Sequence, residues 1–384
     1  VVRSHKRLEE LIPGEYLNTP FGDIYRARTT YDVQYRHGNS RLHSFWEVST
    51  EYLKQLGRID HGSDIDLQQT VFLDTEASGL SGGTRTYIFM VGLGYFTDAQ
   101  FIVDQLFVDS YVKEEGMLDL LREYLAEASL LVTFNGKSFD LNLLQTRYLL
   151  HGQDDPFEGI PHLDLLHPCR NLWNLDLDNC RLQTLERDVL DFRREDDTPG
   201  EEVPNIYFEF IRSGDPGEIA GVFEHNGHDI VSLVAVTAML EQNFQGIRHI
   251  PQESGLTMFS RGKIHERRGD YEAALECYTT AIAADVTAHR RNQIISQMAA
   301  LYKQLQRWDQ AVRWWQEQIE SMPIFVLEPY RELAMYYEHQ VKEYERAIEF
   351  VERALSVIPA HREAETAGLR HRLQRLCRKQ HNAG

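Results

Sequence analysis

The sequence predicts a mixed α/β domain followed by an all-α repeat domain, and three observations lead there. From Thr70 onward, apolar strands and amphipathic helices alternate in the order βββαβα. After Pro251 the pattern turns wholly helical, with aromatics and alanines recurring at a near-constant interval. Charge divides at the same place: of the formal −19, residues 71–245 carry −20, with 11 Lys and Arg against 31 Asp and Glu, while the flanks nearly balance. A chain of 384 residues is long enough for two or three domains. We read an N-terminal extension over residues 1–66 packing on an α/β domain over 67–248, then a repeat domain over 254–384.

Composition narrows the class. With 42% hydrophobic and 11% aromatic residues the chain can fill packed cores. Its four cysteines, Cys169, Cys180, Cys277 and Cys377, stand far apart with no C-x-x-C pair, which favours a reducing compartment and argues against a zinc ribbon or disulfide scaffold. The opening Val-Val-Arg-Ser-His-Lys-Arg lacks the apolar core of a signal peptide, and no run reaches the length of a membrane span. A cytoplasmic protein with no membrane partner is expected. An acidic central domain is a poor electrostatic trap for phosphate backbones and counts against tight, unassisted nucleic-acid binding.

Taken in order, the segment from Phe21 to Tyr35 is β-prone and aromatic, and Arg36-His-Gly-Asn-Ser-Arg follows it. Arginine beside tyrosine suits a single strand, by charge and stacking; an edge hairpin covering the main sheet is the equal alternative. One strand ends at Asp74, a Ser81-Gly-Gly turn follows, and Tyr87 to Phe96 reads as a second strand whose glycines permit a close approach or a bulge. Phe101 to Val108 alternates as a third. Met117, Leu120, Leu121, Tyr124 and Leu125 have helical spacing between Gly116 and Ala128. A buried strand from Leu130 to Phe134 leads through Asn135-Gly-Lys to Ser138, the expected N-cap of a helix carrying Asp140, Leu143, Leu144 and Tyr148. This is the mixed-sheet layout of ribonuclease H-like folds. Residues 151–220 are loopier. His162, Asp164 and His167 resemble a metal cluster but fit capping and packing better, and Arg193 to Glu202 reads as a charged surface loop. Phe223 then opens a long amphipathic helix.

In the C-terminal part Tyr271, Trp308 and Tyr344 align at intervals of 37 and 36 residues, slightly longer than the tetratricopeptide (TPR) period of about 34. Alanines such as Ala274, Ala281, Ala311, Ala347 and Ala354 let paired helices approach, and three pairs are about the minimum for a stable solenoid. Gln318 stands where an alanine is expected, so the middle repeat is imperfect.

The acids carry the chemistry. Three apolar residues lead into Asp74, one residue separates it from Glu76, and residues two apart on a strand share a face. Two adjacent carboxylates raise one another's pKa. An oxygen-ligated divalent ion relieves that; a solvated strand end is the bland alternative. Asp140 lies in the first turn of its helix, where the dipole favours it, and His225 and Asp229, four apart, share a helix face. Jointly, Asp74, Glu76, Asp140 and Asp229 with His225 are expected to compose a two-metal site, in which ions about 4 Å apart would activate a water and neutralise the leaving oxygen of a phosphodiester. An all-oxygen set suits Mg²⁺ or Mn²⁺.

Phe72-Leu-Asp-Thr-Glu-Ala-Ser-Gly-Leu, Thr133-Phe-Asn-Gly-Lys-Ser-Phe-Asp and His225-Asn-Gly-His-Asp resemble the three motifs of the DnaQ-like (DEDD) 3′–5′ exonuclease superfamily. The resemblance is closest to YprB-like ribonuclease H-like proteins, some of which carry a TPR tail, and it covers roughly residues 1–245. It implies that Asp74 bridges two metals, Glu76 and Asp229 complete one site, Asp140 holds the second metal, and His225 orients or deprotonates the attacking water. Ser78, Asn135, Lys137 and Asp164, within or beside the motifs, are expected to contact substrate. His225 lies four residues before Asp229, a spacing of the tyrosine-type enzymes rather than the histidine-type, with His228 the weaker candidate base. Ala77 replaces the usual threonine. The implied substrate is a single-stranded DNA or RNA 3′ end, with a protein partner for the repeats. The alternative from another class is a protein-interaction scaffold built on a weakly active or inactive exonuclease fold.

Overall fold

The computed structural model describes residues 7–79, 86–245, 254–321 and 325–383. The Ser81-Gly-Gly turn lies outside them. The chain forms two compact units, Val1–His249 and Ile250–Gly384. No helix among the described residues is long and apolar enough to cross a membrane.

The first unit is built on a seven-stranded mixed sheet. Its strands are β1 (Gly14–Thr19), β2 (Gly22–Asp32), β5 (Thr70–Ala77), β6 (Ile88–Phe96), β7 (Gln100–Phe107), β8 (Leu130–Thr133) and β9 (His162–Asp164), in the order β1-β2-β7-β6-β5-β8-β9. The short strands β3 (Arg36–His37) and β4 (Ser40–Arg41) pair separately. β8 and β9 run parallel to β5, and every other pairing of the main sheet is antiparallel. The sequence order βββαβα is thus realised from β5 to the helix Asp140–Leu150. The N-terminal hairpin extends the edge of the sheet rather than covering it. Its arginines are spent on neighbours: Arg28 donates to both Asp104 oxygens at 2.6 Å, and Arg26 pairs with Glu15.

Alternation along β5 assigns its two faces. Val71 and Leu73 enter the core formed with Met117, Leu121, Leu144 and Tyr148 from the helices Glu114–Leu125 and Asp140–Leu150. Phe72 faces the other way, against Phe45, Phe96 and Phe101. Ring pairs of this kind add about 0.5–1.5 kcal/mol each beyond area burial.

The long helix Ile219–Gln245 crosses that second face, and it begins four residues before Phe223. It is buried on every side from Ile230 to Glu241 instead of being amphipathic, because residues 37–52 close over its outer surface. His37 Nε2 donates to Ser232, the Ser49 N–H to Glu241 and the Tyr52 hydroxyl to the Leu240 carbonyl. Helix and sheet approach closely at Gly92, where a Cβ would stand 2.2 Å from Asn226 Oδ1.

Two local expectations are corrected. Ser138 does not cap: the helix starts at Asp140 after Phe139, with no side-chain cap, because residues 135–138 form a turn bound from below by Asp164. The Arg193 to Glu202 segment is not simply surface, since the Arg194 side chain is only 4% exposed. Asp191 and Asp196, at φ of 52° and 50°, turn the backbone through the left-handed region and aim the loop inward.

In the second unit three helix pairs stack: Gly255–Arg267 with Tyr271–Ala283, Ala288–Gln304 with Trp308–Ser321, and Leu327–Tyr336, prolonged by a π-turn at Tyr337–Val341, with Tyr344–Val357. Glu363–Ala383 follows. The aligned aromatics Tyr271, Trp308 and Tyr344 each open the second helix of a pair. Gln318 is accommodated by donating to Asn292 and Ser296, both at 2.7 Å.

Replacing Gly92 with alanine should therefore push Asn226 off the sheet and cost about 1–3 kcal/mol of stability. Urea unfolding checks this, and an unchanged midpoint would refute the close approach.

Candidate active site

The carboxylates gather at the end of β5, where both layers of the first unit meet. Asp74 and Glu76 continue the Phe72 face toward the long helix, and a register shift between Glu76 and Ala77 ends regular pairing there. Thr75, on the opposite face, reaches the helix Asp140–Leu150. Its N–H and hydroxyl both donate to Asp140 Oδ1, at 3.1 and 2.5 Å. Asp74 is anchored across the sheet. Gly92 lies between Asp74 on β5 and Gln105 on β7 in register. The Asn226 amide spans the bare glycine, its Oδ1 accepting from Gln105 Nε2 (2.9 Å) and its Nδ2 donating to Asp74 (2.9 Å). Gln105 and Asn226 are residues that the motif pattern does not single out. Only the glycine pair on β6 hinted at an inserted group.

Asp229 and His225 come from the long helix, with Asp229 Oδ2 3.6 Å from His225 Nε2. Against them lies Arg194, the main residue that sequence reasoning missed. Its Nε and Nη2 bind the two oxygens of Glu186 at 2.8 and 2.6 Å, Nη2 also holds Asp229, and Nη1 donates to Asp197 at 3.2 Å and to the His225 carbonyl at 3.5 Å. Glu186 accepts a further bond from Ser232. His225 Nδ1 lies 2.9 Å from Asp197 Oδ1.

The electrostatics follow from this crowding. Burial first, and then repulsion from Asp229, Asp140 and Glu76, lift Asp74 well above the usual carboxylate range. Burial, Asp229 and Asp140 do the same to Glu76, against a small opposing pull from Arg194. Burial raises Asp140 to about 6, although the bonds from Thr75 oppose it. Burial works against the charge on Arg194 but is outweighed by Asp229 and Glu186, so the guanidinium is held firmly ionised. At Asp197 burial is likewise outweighed, here by His225 and Arg194, and its pKa falls below the usual value.

The donor set has the chemistry of a hard divalent-cation site, carboxylate oxygens crowded around too little positive charge. As the side chains stand, however, no three His, Cys, Asp or Glu among the described residues are gathered for ligation. One oxygen of Asp229 is taken by Arg194 and one of Asp140 by Thr75. Asp74, Glu76, the second oxygen of Asp140 and the second oxygen of Asp229 are the groups that would close on an ion.

Two clefts flank the acids. One, of about 340 Å³, is lined by Glu76, Asp140, Phe139, Leu143, Val203 and Pro204 among others; Phe139 is 59% exposed. The other, of about 380 Å³, contains His225 and Asp229, and Gly200 borders both.

The expected substrate contacts lie elsewhere. Ser78 closes the strand rim, its N–H donating to the Tyr87 carbonyl (2.9 Å) and its Oγ accepting from the Tyr87 N–H (3.1 Å). Asp164 is buried and accepts from the backbone N–H groups of Asn135, Lys137 and Leu166. It therefore anchors the 135–138 turn rather than meeting substrate. Asn135 sits at φ 63° in that turn, and the Lys137 side chain is exposed. None of the four is among the described residues lining either cleft; Ser138, Phe139 and Asn142 are. His162 bonds Thr133 at 2.9 Å, and burial lowers its pKa to about 4, in keeping with packing rather than ligation.

Family models match parts of both units. A family model described as the RNase H superfamily matches residues 71–241, and one described as a tetratricopeptide repeat matches residues 258–288. The chain is 30% identical over 362 residues to "Uncharacterized protein YprB" of Bacillus subtilis (strain 168), across 91% of this chain and 84% of that protein. Among solved structures it is similar to the family B DNA polymerase from the hyperthermophilic archaeon Pyrobaculum calidifontis. That match has a TM-score of 0.36 and 13% identity, covering 61% of this chain and 28% of the polymerase.

The raised pKa of Asp140 carries a stability consequence. Its folded value, about 6, exceeds the ordinary 3.8, so this group favours the native state below about pH 4 and that contribution is lost as pH rises through 6. In EDTA at pH 7.5, Asp140→Asn should therefore be more stable than the wild type by on the order of 1 kcal/mol, with the difference closing near pH 4. Melting curves at both pH values check this; a wild type as stable as the variant at pH 7.5 would refute the cost of burying this charge.

Proposed function

The chain belongs to the YprB-like proteins of the RNase H superfamily, and on that footing we propose that its α/β unit is a metal-dependent 3′–5′ exonuclease acting on single-stranded DNA or RNA. The observation that carries the reading is the convergence of Asp74, Glu76, Asp140 and Asp229 on one rim, with pKa values raised at three of them and Arg194 the cation bonded among them. Two Mg²⁺ or Mn²⁺ ions held by these carboxylates would polarise the scissile phosphate and acidify the attacking water.

The chain's own groups do the rest. Asn226 and Thr75 keep Asp74 and Asp140 in place, so little reorganisation is left for the reaction itself. His225 Nε2 accepts a proton from the water as its oxygen bonds to phosphorus. The 3′ oxygen of the penultimate nucleotide leaves and is protonated by solvent. The cleft beside Phe139, about 340 Å³, suits one unpaired nucleotide and is too small for a duplex, which supports cleavage from an end. The exposed Phe139 ring offers a stacking face for the terminal base. The tetratricopeptide unit recruits a protein partner.

The test is incubation of the purified chain with 3′-labelled and 5′-labelled single-stranded DNA and RNA, in Mg²⁺, Mn²⁺ or EDTA. Metal-dependent laddering from the 3′ end is expected in the wild type. Asp74→Asn should show none above background while keeping its fold by circular dichroism. Full activity in that variant would reject the site, and no cleavage by the wild type with either metal would favour the scaffold reading. Phe139→Ala should raise KM about tenfold, from the roughly 1–3 kcal/mol of a lost base stack, with kcat little changed.

A further inference from the structure

Asp197 and Arg194 lie outside the acid motifs, and the loop that carries them has the composition of a solvated turn. Its position is nevertheless over-determined. Glu186, with a side chain 2% exposed, grips Arg194 through both oxygens and is itself bonded by Ser232. The hairpin of β3 and β4 clasps the loop's entry. The Asn39 N–H and Nδ2 donate to the Leu190 and Val189 carbonyls, at 2.7 and 3.0 Å, and the His37 ring packs on Phe192 with centroids 3.9 Å apart. Gly38, at φ +59°, is required there, since a Cβ would stand 2.0 Å from the Leu190 carbonyl oxygen. Between Arg194 and Asp197 the backbone passes through the left-handed conformation at Asp196, a local strain that persists only where the surroundings hold it.

The donor count of Arg194 then limits what it does. Its five N–H groups meet Glu186 twice, Asp229, Asp197 and the His225 carbonyl. None is left for a substrate phosphate, so Arg194 is a fixed strut rather than a phosphate ligand. Asp197 is equally engaged. Oδ1 faces His225 Nδ1 (2.9 Å) and Arg194 Nη1 (3.2 Å), and Oδ2 accepts from Gln183 Nε2 (2.6 Å).

One ambiguity is resolved by donor and acceptor rules. Arg194 Nη1 also lies 3.2 Å from His225 Nδ1. A carboxylate can only accept, so its close contact with Nδ1 is favourable only when that nitrogen carries the hydrogen, and Nη1 has Asp197 and the His225 carbonyl as alternative acceptors. Asp229 Oδ2 faces Nε2 at 3.6 Å, beyond hydrogen-bond length, so the hydrogen belongs on Nδ1 and Nε2 is left as the unprotonated nitrogen.

We propose that Asp197, held by Arg194, is a positioning residue that fixes His225 in the Nδ1–H tautomer and so makes Nε2 the proton acceptor. The inference rests on the exonuclease reading for its catalytic consequence but not for its geometry. Glu186 and the β3–β4 clasp act through Arg194 to hold Asp197 at the imidazole.

The test separates the two levels. Full-length ¹⁵N-labelled protein at about pH 8.5, where an ordinary imidazole is neutral, is examined by long-range ¹H–¹⁵N correlation, with the His225 signals identified by their loss in His225→Gln. The wild type should show the Nδ1–H tautomer. In Asp197→Ala the remaining neighbour of Nδ1 is the donor Nη1 of Arg194, so the Nε2–H tautomer is expected. kcat should fall by about 10²–10⁴-fold, with KM and Mn²⁺ affinity within about twofold of wild type. An Nε2–H or doubly protonated ring in the wild type overturns the proposal, as does an unchanged tautomer or unchanged kcat in Asp197→Ala. If Asp197→Ala does not fold, the wild-type tautomer decides. A wild type that cleaves nothing but shows the tautomer switch rejects the exonuclease and keeps the positioning role of Asp197.

Discussion

The buried pair of Arg194 and Glu186 is the interaction on which the rest of the site depends. Both side chains are almost wholly removed from solvent, and removing one partner of such a pair typically costs about 3–5 kcal/mol because the other charge is stranded. The pair cannot be replaced by the loop alone. It needs Ser232 from the long helix on Glu186, and it needs the β3–β4 hairpin to bring the loop down. The N-terminal region thus does more than extend a sheet edge: through His37, Gly38 and Asn39 it helps set where a charged loop enters the cleft.

Around that strut the carboxylates are held in an arrangement that the metal-free protein does not favour electrostatically. Burial raises the pKa of Asp74, Glu76 and Asp140, and repulsion from Asp229 and Asp140 adds to it at the first two. The fold tolerates this because each acid but Glu76 is tied to a neutral or cationic donor: Asn226 for Asp74, Thr75 for Asp140, Arg194 for Asp229. The ties leave oxygens spare on every acid. Crowded buried carboxylates of this kind cost stability, and the bare Gly92 is the feature of the sheet that makes the Asn226 tie possible.

The repeat unit obeys simpler rules. Small residues such as Ala281, Ala311 and Ala354 are fully buried where helices meet, and the aromatics fill between them. Where the pattern lapses at Gln318, the side-chain amide nitrogen finds Asn292 and Ser296, while its buried Oε1 has no partner, so the polar group is compensated on its donor side alone. Glu338 plays a related part at the C-terminal end, its buried carboxylate drawing Arg372, Arg375 and Lys379 and tying the final helix to the π-turn.

What the sequence determined by itself was whatever local period and spacing encode. The alternation that ends at Asp74 and Glu76, the i,i+4 placement of His225 and Asp229, the β-β-β-α-β-α order and the 36–37-residue interval of Tyr271, Trp308 and Tyr344 are all properties of a few consecutive residues on a regular backbone. The tertiary structure decided what depends on contacts between distant segments. Arg194 stands in a run of charged and turn-forming residues, and its composition gives no sign that Glu186, Asp197 and Asp229 will surround it. Asp164, next to two histidines, was indistinguishable from a substrate contact until the 135–138 turn was found folded onto it. Ser138 had the identity of a cap but not the backbone position. A side chain's type sets what it can bond to, but its partner is chosen by chain segments tens to hundreds of residues away, and no local pattern records that choice.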